Sequence, residues 1–446
     1  MTLNRTSSNR FNGARWLASW ISVVLLALAA PTLAADWPEW RGPTGNGVAA
    51  GKPPIEWSES ENIKFRTELP GLGISTPVVW GDRIFLTTAI DTGAGPDGKP
   101  GEKDRSGRVP GNIHQFTVLA YDRNSGEEVW RTVVNEEVPH EGSHMTSTWA
   151  SNSPATDGSV LIAHFGSHGI YGMDLDGKVL WKQDFGKMNT RNEFGEGSSP
   201  ALHGDYAVML WDHEGDSFIV ALDKKTGAEK WRQQREERSS WSTPLLVEHD
   251  GRVQVITNAT TNVRSYDLET GELIWKTTGM TENVIPSPVY EDGVVYVMSG
   301  FRGNSLLAIG LEGAQGDITG SEQIRWSYDR DTPYVSSPLL YEGRLYFFKV
   351  LTPILTVFDA RKGEKLYGPE RIEELGNIYA SPLGANGHVY LVDRAGKTVV
   401  LKAGDEFEIA AVNELPDEFD ASPVVVGDVL YLRGREALWA IAAPGS

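Results

Sequence analysis

The sequence predicts an all-β fold: an eight-bladed β-propeller of four-stranded antiparallel blades, closed by the N-terminal strand joining the last blade. Three observations predict it. A Ser/Thr-Pro step recurs along the chain. The same order of turns and apolar strands follows each step. The last repeat lacks one strand, and the start of the chain can supply it.

The step occurs at Thr76-Pro77, Ser153-Pro154, Ser199-Pro200, Thr243-Pro244, Ser287-Pro288, Ser337-Pro338, Ser381-Pro382 and Ser422-Pro423. Successive prolines are 77, 46, 44, 44, 50, 44 and 41 residues apart. The long first interval contains a Gly/Asp/Lys-rich stretch, residues 91–111, which reads as a loop inserted in one repeat. Without it the period is about 45 residues, the length of a four-stranded blade.

Within a repeat, an apolar segment is followed by a tight turn such as Asp292-Gly293 or Glu342-Gly343, then by an alternating strand. Asp-Gly between apolar runs favours a hairpin because Gly accepts positive φ. A third strand ends in Asp, as at Asp122, Asp223, Asp267 and Asp359, and a Thr/Ser-Gly turn leads to a fourth strand carrying Trp. The Asp side chain can bond its own turn backbone. The final repeat has only three strands, ending at Ala437–Ile441. Residues 62–69 are the spare strand, and pairing them with 436–442 would remove two open edges.

Composition excludes several classes. The 446 residues include no Cys, so there is no disulfide scaffold, thiolate metal site, Cys nucleophile or lipidated cysteine. Asp+Glu at 60 against Lys+Arg at 41 gives −19, which argues against nucleic acid as a partner. Residues 1–35 read as a Sec-type signal peptide: Arg5, Arg10 and Arg15, an apolar run from Trp16 to Ala30, then small residues near Ala34-Ala35. The expectation is a soluble, exported monomer, periplasmic or extracellular and not membrane-embedded. Residues 36–60 form an extended N-terminal segment and 61–446 the propeller.

The unit from Ala120 to Trp130, repeated from Ala221 to Trp231, resembles the tryptophan-docking repeat of PQQ-type propellers, a group that includes quinoprotein dehydrogenases and outer-membrane assembly factor B. The opening Asp36-Trp37-Pro38-Glu39-Trp40-Arg41-Gly42-Pro43 resembles that of exported PQQ-like propeller proteins. The resemblance implies the fold and two alternative functions, a binding platform or a PQQ-dependent oxidoreductase. The chain lacks the adjacent cysteines common in quinoprotein alcohol dehydrogenases and the lipidated cysteine of assembly factor B. Trp130, Trp181, Trp231, Trp275 and Trp326 occupy one repeating position and read as wedges between blades. That position becomes Tyr367 in the sixth repeat, is lost near Phe407, and becomes Phe65 in the closing strand.

Residues just before each Ser/Thr-Pro and those in each second turn share one face. That face collects His140, His144, Trp149, Asn152, His168, Arg191, Asn192, Glu193, Asp212, His213, Arg238, Trp241 and Arg302, with Glu196, Tyr334, Tyr379 and Asp420. Trp211 joins them as an aromatic candidate; Trp37 and Trp40 have no assigned role. His140-x-x-x-His144 and His164-x-x-x-His168 have metal-ligand spacing, although in loops and strand ends the rings need not converge. The turn Trp211–Ser217 offers three acids to calcium or is a solvated polar turn. A quinone would need an aromatic floor (Trp149 or Trp241), a cation (Arg191 or Arg238), metal ligands (Glu193, Asn192) and a base (Asp212). Nucleophile-elbow, zincin and P-loop motifs are absent from the sequence. The favoured function is a non-catalytic platform for a protein, peptide or glycan in the cell envelope; the alternative is a PQQ- and metal-dependent quinoprotein oxidoreductase acting on an alcohol or sugar, with PQQ and Ca²⁺ as its cofactors.

Overall fold

The computed structural model describes residues 36–104 and 109–445. The signal-peptide expectation falls on residues 1–35 and lies outside the described residues. The described residues form eight small sheets, each built on the four-strand antiparallel pattern read from the repeat. The third blade is representative: Ala201–His203, Tyr206–Trp211, Phe218–Asp223 and Glu229–Gln234 pair in sequence order. Its two middle strands are buried almost throughout, whereas the fourth is mostly exposed, so each blade hides its centre between neighbours. Two short 3₁₀ turns occur among the described residues, and no described helix is long and apolar enough to cross a membrane.

The ring closes as the strand count requires. Ile63–Glu68 pairs antiparallel with Ala437–Ile441, with Phe65 opposite Ala440 and Glu68 opposite Ala437. Backbone bonds from Leu69 to Glu436 and from Ala442 to Asn62 extend the pairing at both ends. Two blades carry an extra two-residue strand: Val48–Ala49 lies parallel to Leu383–Ala385, and Gly316–Asp317 lies parallel to Leu273–Thr277.

Four of the repeat tryptophans dock onto the next blade in the same way. The Nε1–H groups of Trp130, Trp181, Trp231 and Trp326 donate to the carbonyls of Leu175, Lys224, Leu268 and Ala360, at 2.7–3.0 Å. Each ring lies flat against the turn glycine of that blade. A Cβ on Gly177, Gly227, Gly271 or Gly363 would sit 2.6–2.8 Å from the ring. The glycine is therefore needed twice, for its positive φ and for the space the indole occupies. Phe65 takes the same place against Gly126 where the ring closes. Trp275 departs from the wedge expectation. It is fully buried but donates to Gln254 in its own blade, because residues 311–323 replace the turn it would have met.

The Ser/Thr of every Ser/Thr-Pro step belongs to one closed circle. The N–H of each donates to the hydroxyl oxygen of its counterpart in the next blade, at 2.9–3.0 Å for seven links and 3.3 Å for the last. Proline fixes this arrangement by holding the preceding residue extended, so its N–H points across the blade gap.

Residues 37–52 run along the inner strands and touch every blade. Trp37 bridges to Val79 and Pro38 to Thr156, while Glu39 accepts from Leu202. Gly45 lies against Leu245, and Asn46 exchanges bonds with Tyr290. Arg41 donates to the carbonyls of Pro338 and Pro382, and Lys52 to Asp428. Arg41 is buried with carbonyl acceptors, and desolvation lowers its pKa to about 9.

Candidate functional site

A cavity of about 480 Å³ opens on the face where the blade-to-blade linkers and the second turns meet. Six hydroxyl residues of the circle line it, from Ser153 to Ser381. Trp40 also lines it, and its Nε1–H donates to Ser287 Oγ. The walls are largely aromatic and aliphatic: Phe194, Trp241, Phe301, Tyr334 and Tyr379, with Ile74, Ile285, Val335 and Leu351. Phe301 and Tyr334 stack at 4.8 Å. This volume and this mostly apolar lining with a few fixed polar groups are those of a ligand pocket.

The cavity's charged groups have partners. Arg191 pairs with Glu282 at 3.0 Å and donates to Asn283, and Arg302 approaches the same Glu282 at 3.8 Å. Asp420 accepts from Arg435 at 2.9 Å. Glu196 accepts from the N–H and hydroxyl of Ser167, and burial pushes its carboxyl up to about 8 despite these bonds.

The candidates separate into groups. His144, Arg191, Asn192, Trp241 and Arg302 line the cavity. Asn192 and Arg302 do so from left-handed backbone, both with φ of 53°. Glu193, at φ 55°, stands beside them. His140, Trp149, Asn152 and His168 instead enclose a smaller void with Glu141 and Glu196. Trp149 is held by a bond from its Nε1–H to Glu141 O, and its ring meets His114 edge-on at 4.9 Å. His168 stacks on Phe116 and bonds Glu137 through Nδ1 at 2.5 Å. Burial disfavours the charged imidazole, and the hydrogen bond from His168 holds the Glu137 carboxyl down to about 2.

Four candidates fall elsewhere. Trp211 is a core residue, buried and stacked on Phe218. His213 Nδ1 accepts from the N–H groups of Asn189 and Gly215, holding the turn together. Arg238 is exposed and is not among the cavity-lining residues. Asp212 is buried in a two-point bond to Arg235, at 2.8 and 3.1 Å, with a third bond from Ser240. With Glu214 also bonded to Ser239, the Trp211–Ser217 turn is an internal brace and not a calcium loop. Of the residues assigned to a quinone, Trp241, Arg191 and Asn192 line the cavity, Asp212 is held by Arg235, and Arg238 is not among the lining residues.

Among the described residues, neither His-x-x-x-His pair belongs together to a cluster of three metal-ligating side chains. His144 bonds Thr146 through Nδ1, and His164 stacks on Trp211. Trp40, Phe194 and Phe301 complete the cavity, and sequence reasoning missed them. Phe194 and Phe301 sit one or two residues from chosen polar candidates, so a scan for aromatics beside those turns would have found them. Trp40 carried no local signal, because its place depends on how residues 37–52 thread the ring.

Residues 54–196 and 215–443 match the family model described as outer membrane protein assembly factor BamB. Outer membrane protein assembly factor BamB of Francisella salina is 26% identical over 100 residues, which span 22% of this chain and 18% of that protein. Quinohemoprotein alcohol dehydrogenase from Comamonas testosteroni superposes with a TM-score of 0.63 at 11% identity, covering 94% of this chain and 82% of that one. The computationally designed Ika8 protein superposes with a TM-score of 0.53 at 12% identity, covering 84% of this chain and 98% of that one. At such identities the structural likeness is one of fold.

Proposed function

Because the chain belongs to the PQQ-like propeller family described as outer membrane protein assembly factor BamB, we propose that it is a non-catalytic binding platform of the cell envelope whose cavity receives a segment of a partner polypeptide. It is exported by its N-terminal segment and acts as a monomer. The observation that carries this reading is the lining of the cavity. Polar residues are numerous in it, but the surface they and their neighbours present to the cavity is mainly apolar, and the arginines and Asp420 are already paired. Such a surface suits an apolar or aromatic side chain on an extended peptide better than a hydroxyl-rich sugar. Met145 is 83% exposed between the cavity residues His144 and Thr146, adding an adaptable apolar contact at the rim.

The test is selection from a random peptide library on the purified protein, followed by titration of a selected peptide against variants. Tyr334→Ala and Trp241→Ala are expected to weaken binding at least tenfold, since buried aromatic anchors carry about 2 kcal/mol or more of binding energy. A glycan bound at the same residues would change the ligand class. Stoichiometric uptake of PQQ with Ca²⁺ and dye reduction with alcohols or sugars would replace the platform with the oxidoreductase.

A further inference from the structure

Beside the cavity, His140 and Glu141 on the linker from blade 1 to blade 2 meet Glu196 on the linker from blade 2 to blade 3. One ligand atom from each lies within 4.8 Å of the others. His140 Nε2 sits 2.8 Å from the carbonyl of Met188. A carbonyl only accepts, so Nε2 carries the proton and Nδ1 presents a lone pair. That Nδ1 is buried and has no hydrogen-bond partner.

The two carboxylates are oriented from behind. The N–H and hydroxyl of Ser167 bond Glu196, and those of Thr190 bond Glu141. Each oxygen keeps a lone pair for a further contact. Glu193 adds to the negative field at Glu141 and has a buried Oε2 without a partner. The void these residues enclose measures about 10 Å³, room for about one water-sized occupant. Gathering two carboxyl groups here is costly unless protons or a cation neutralise them.

We propose that His140, Glu141 and Glu196 bind one divalent transition ion of the zinc class in this small void. An imidazole nitrogen with two carboxylates suits zinc-like ions, whereas calcium takes oxygen donors alone. The bond from His140 to Met188 O and the bonds from Ser167 and Thr190 are the outer contacts that orient metal ligands. Bound metal would clamp two linkers together. Glu196 also lines the cavity, so the clamp would stiffen the cavity wall. This site does not depend on the peptide-binding reading.

The experiment is calorimetric titration of chelator-treated, full-length mature protein with Zn²⁺. One equivalent is expected to bind and to raise the melting temperature. His140→Gln and Glu196→Gln are expected to weaken binding at least tenfold, the lower end of the effect of disturbing a metal shell, while circular dichroism stays that of the folded protein. Co²⁺ should give visible d–d absorption that both variants lose. Competition between Zn²⁺ and Ca²⁺ on the unaltered protein decides the ion class without any variant. No stoichiometric binding, binding unchanged in both variants, or tighter Ca²⁺ than Zn²⁺ would each overturn the assignment.

Discussion

Ser422 and Thr76, 346 residues apart, are hydrogen-bonded through the N–H of one and the hydroxyl of the other. This bond completes the circle of eight that begins at Thr76, and with the Ile63–Glu68 strand it closes the ring. The circle gives the Ser/Thr-Pro repeat a physical reason. An oxygen at Cβ is needed at each step, and Pro aims the N–H that reaches it.

Thr76→Val keeps shape but removes the acceptor, leaving the Ser422 N–H buried and unpaired. The expected loss is about 1–3 kcal/mol, read by chemical denaturation. Thr76→Ser keeps the oxygen and should cost less. No loss on Thr76→Val, or a loss smaller than that of Thr76→Ser, would mean that the hydroxyl does not carry the closure.

The tryptophan docking is separable from glycine's backbone freedom. Gly227 and Gly251 share a φ of 71°, but a Cβ on Gly227 meets the Trp181 ring at 2.6 Å, and one on Gly251 meets nothing within 4 Å. Gly251→Ala should cost about 1–2 kcal/mol for the left-handed conformation alone. Gly227→Ala should cost about 1–3 kcal/mol more for displacing the indole. Equal melting temperatures for the two variants would contradict the docking.

His164 is fully buried, stacked on Trp211, and its Nδ1 accepts from Gly166 N–H. Desolvation lowers its pKa from 6.5 to about 4. Between those values the unfolded chain binds a proton that the folded one refuses, so stability falls as pH drops from 6.5 to 4. A shift of this size corresponds to about 3 kcal/mol. His164→Asn should lose less stability than the unaltered protein between pH 6.5 and 4 in parallel denaturation curves. Parallel losses would place the acid sensitivity in other groups.

The fold was legible because a propeller repeats its local rules. Turn glycines, terminal Asp residues and the wedge Trp recur at fixed offsets, and the missing strand could be counted. The exceptions arose where a neighbour changed. Trp275 lost its docking partner to residues 311–323, a change in a different repeat. The site was legible only as a face. Topology places His144, Arg191, Asn192, Trp241 and Arg302 together, but which side chains are already committed is a matter of long-range pairing. Nothing near Asp212 in the sequence announces that Arg235 holds it, and Trp40 reaches the cavity from the far end of the chain. His140 has metal-ligand spacing to His144, yet the structure joins it to its immediate neighbour Glu141 and to Glu196 on the next linker.

The most direct test of the platform account is titration of a library-selected peptide into the unaltered protein and into Tyr334→Ala, with melting temperatures recorded for both. Tyr334 lines the cavity, stacks on Phe301, and takes no part in the His140–Glu141–Glu196 cluster or in the hydroxyl circle that closes the propeller. The account expects binding to weaken at least tenfold while the melting temperature changes little. Undiminished peptide binding by the Tyr334→Ala protein would contradict it.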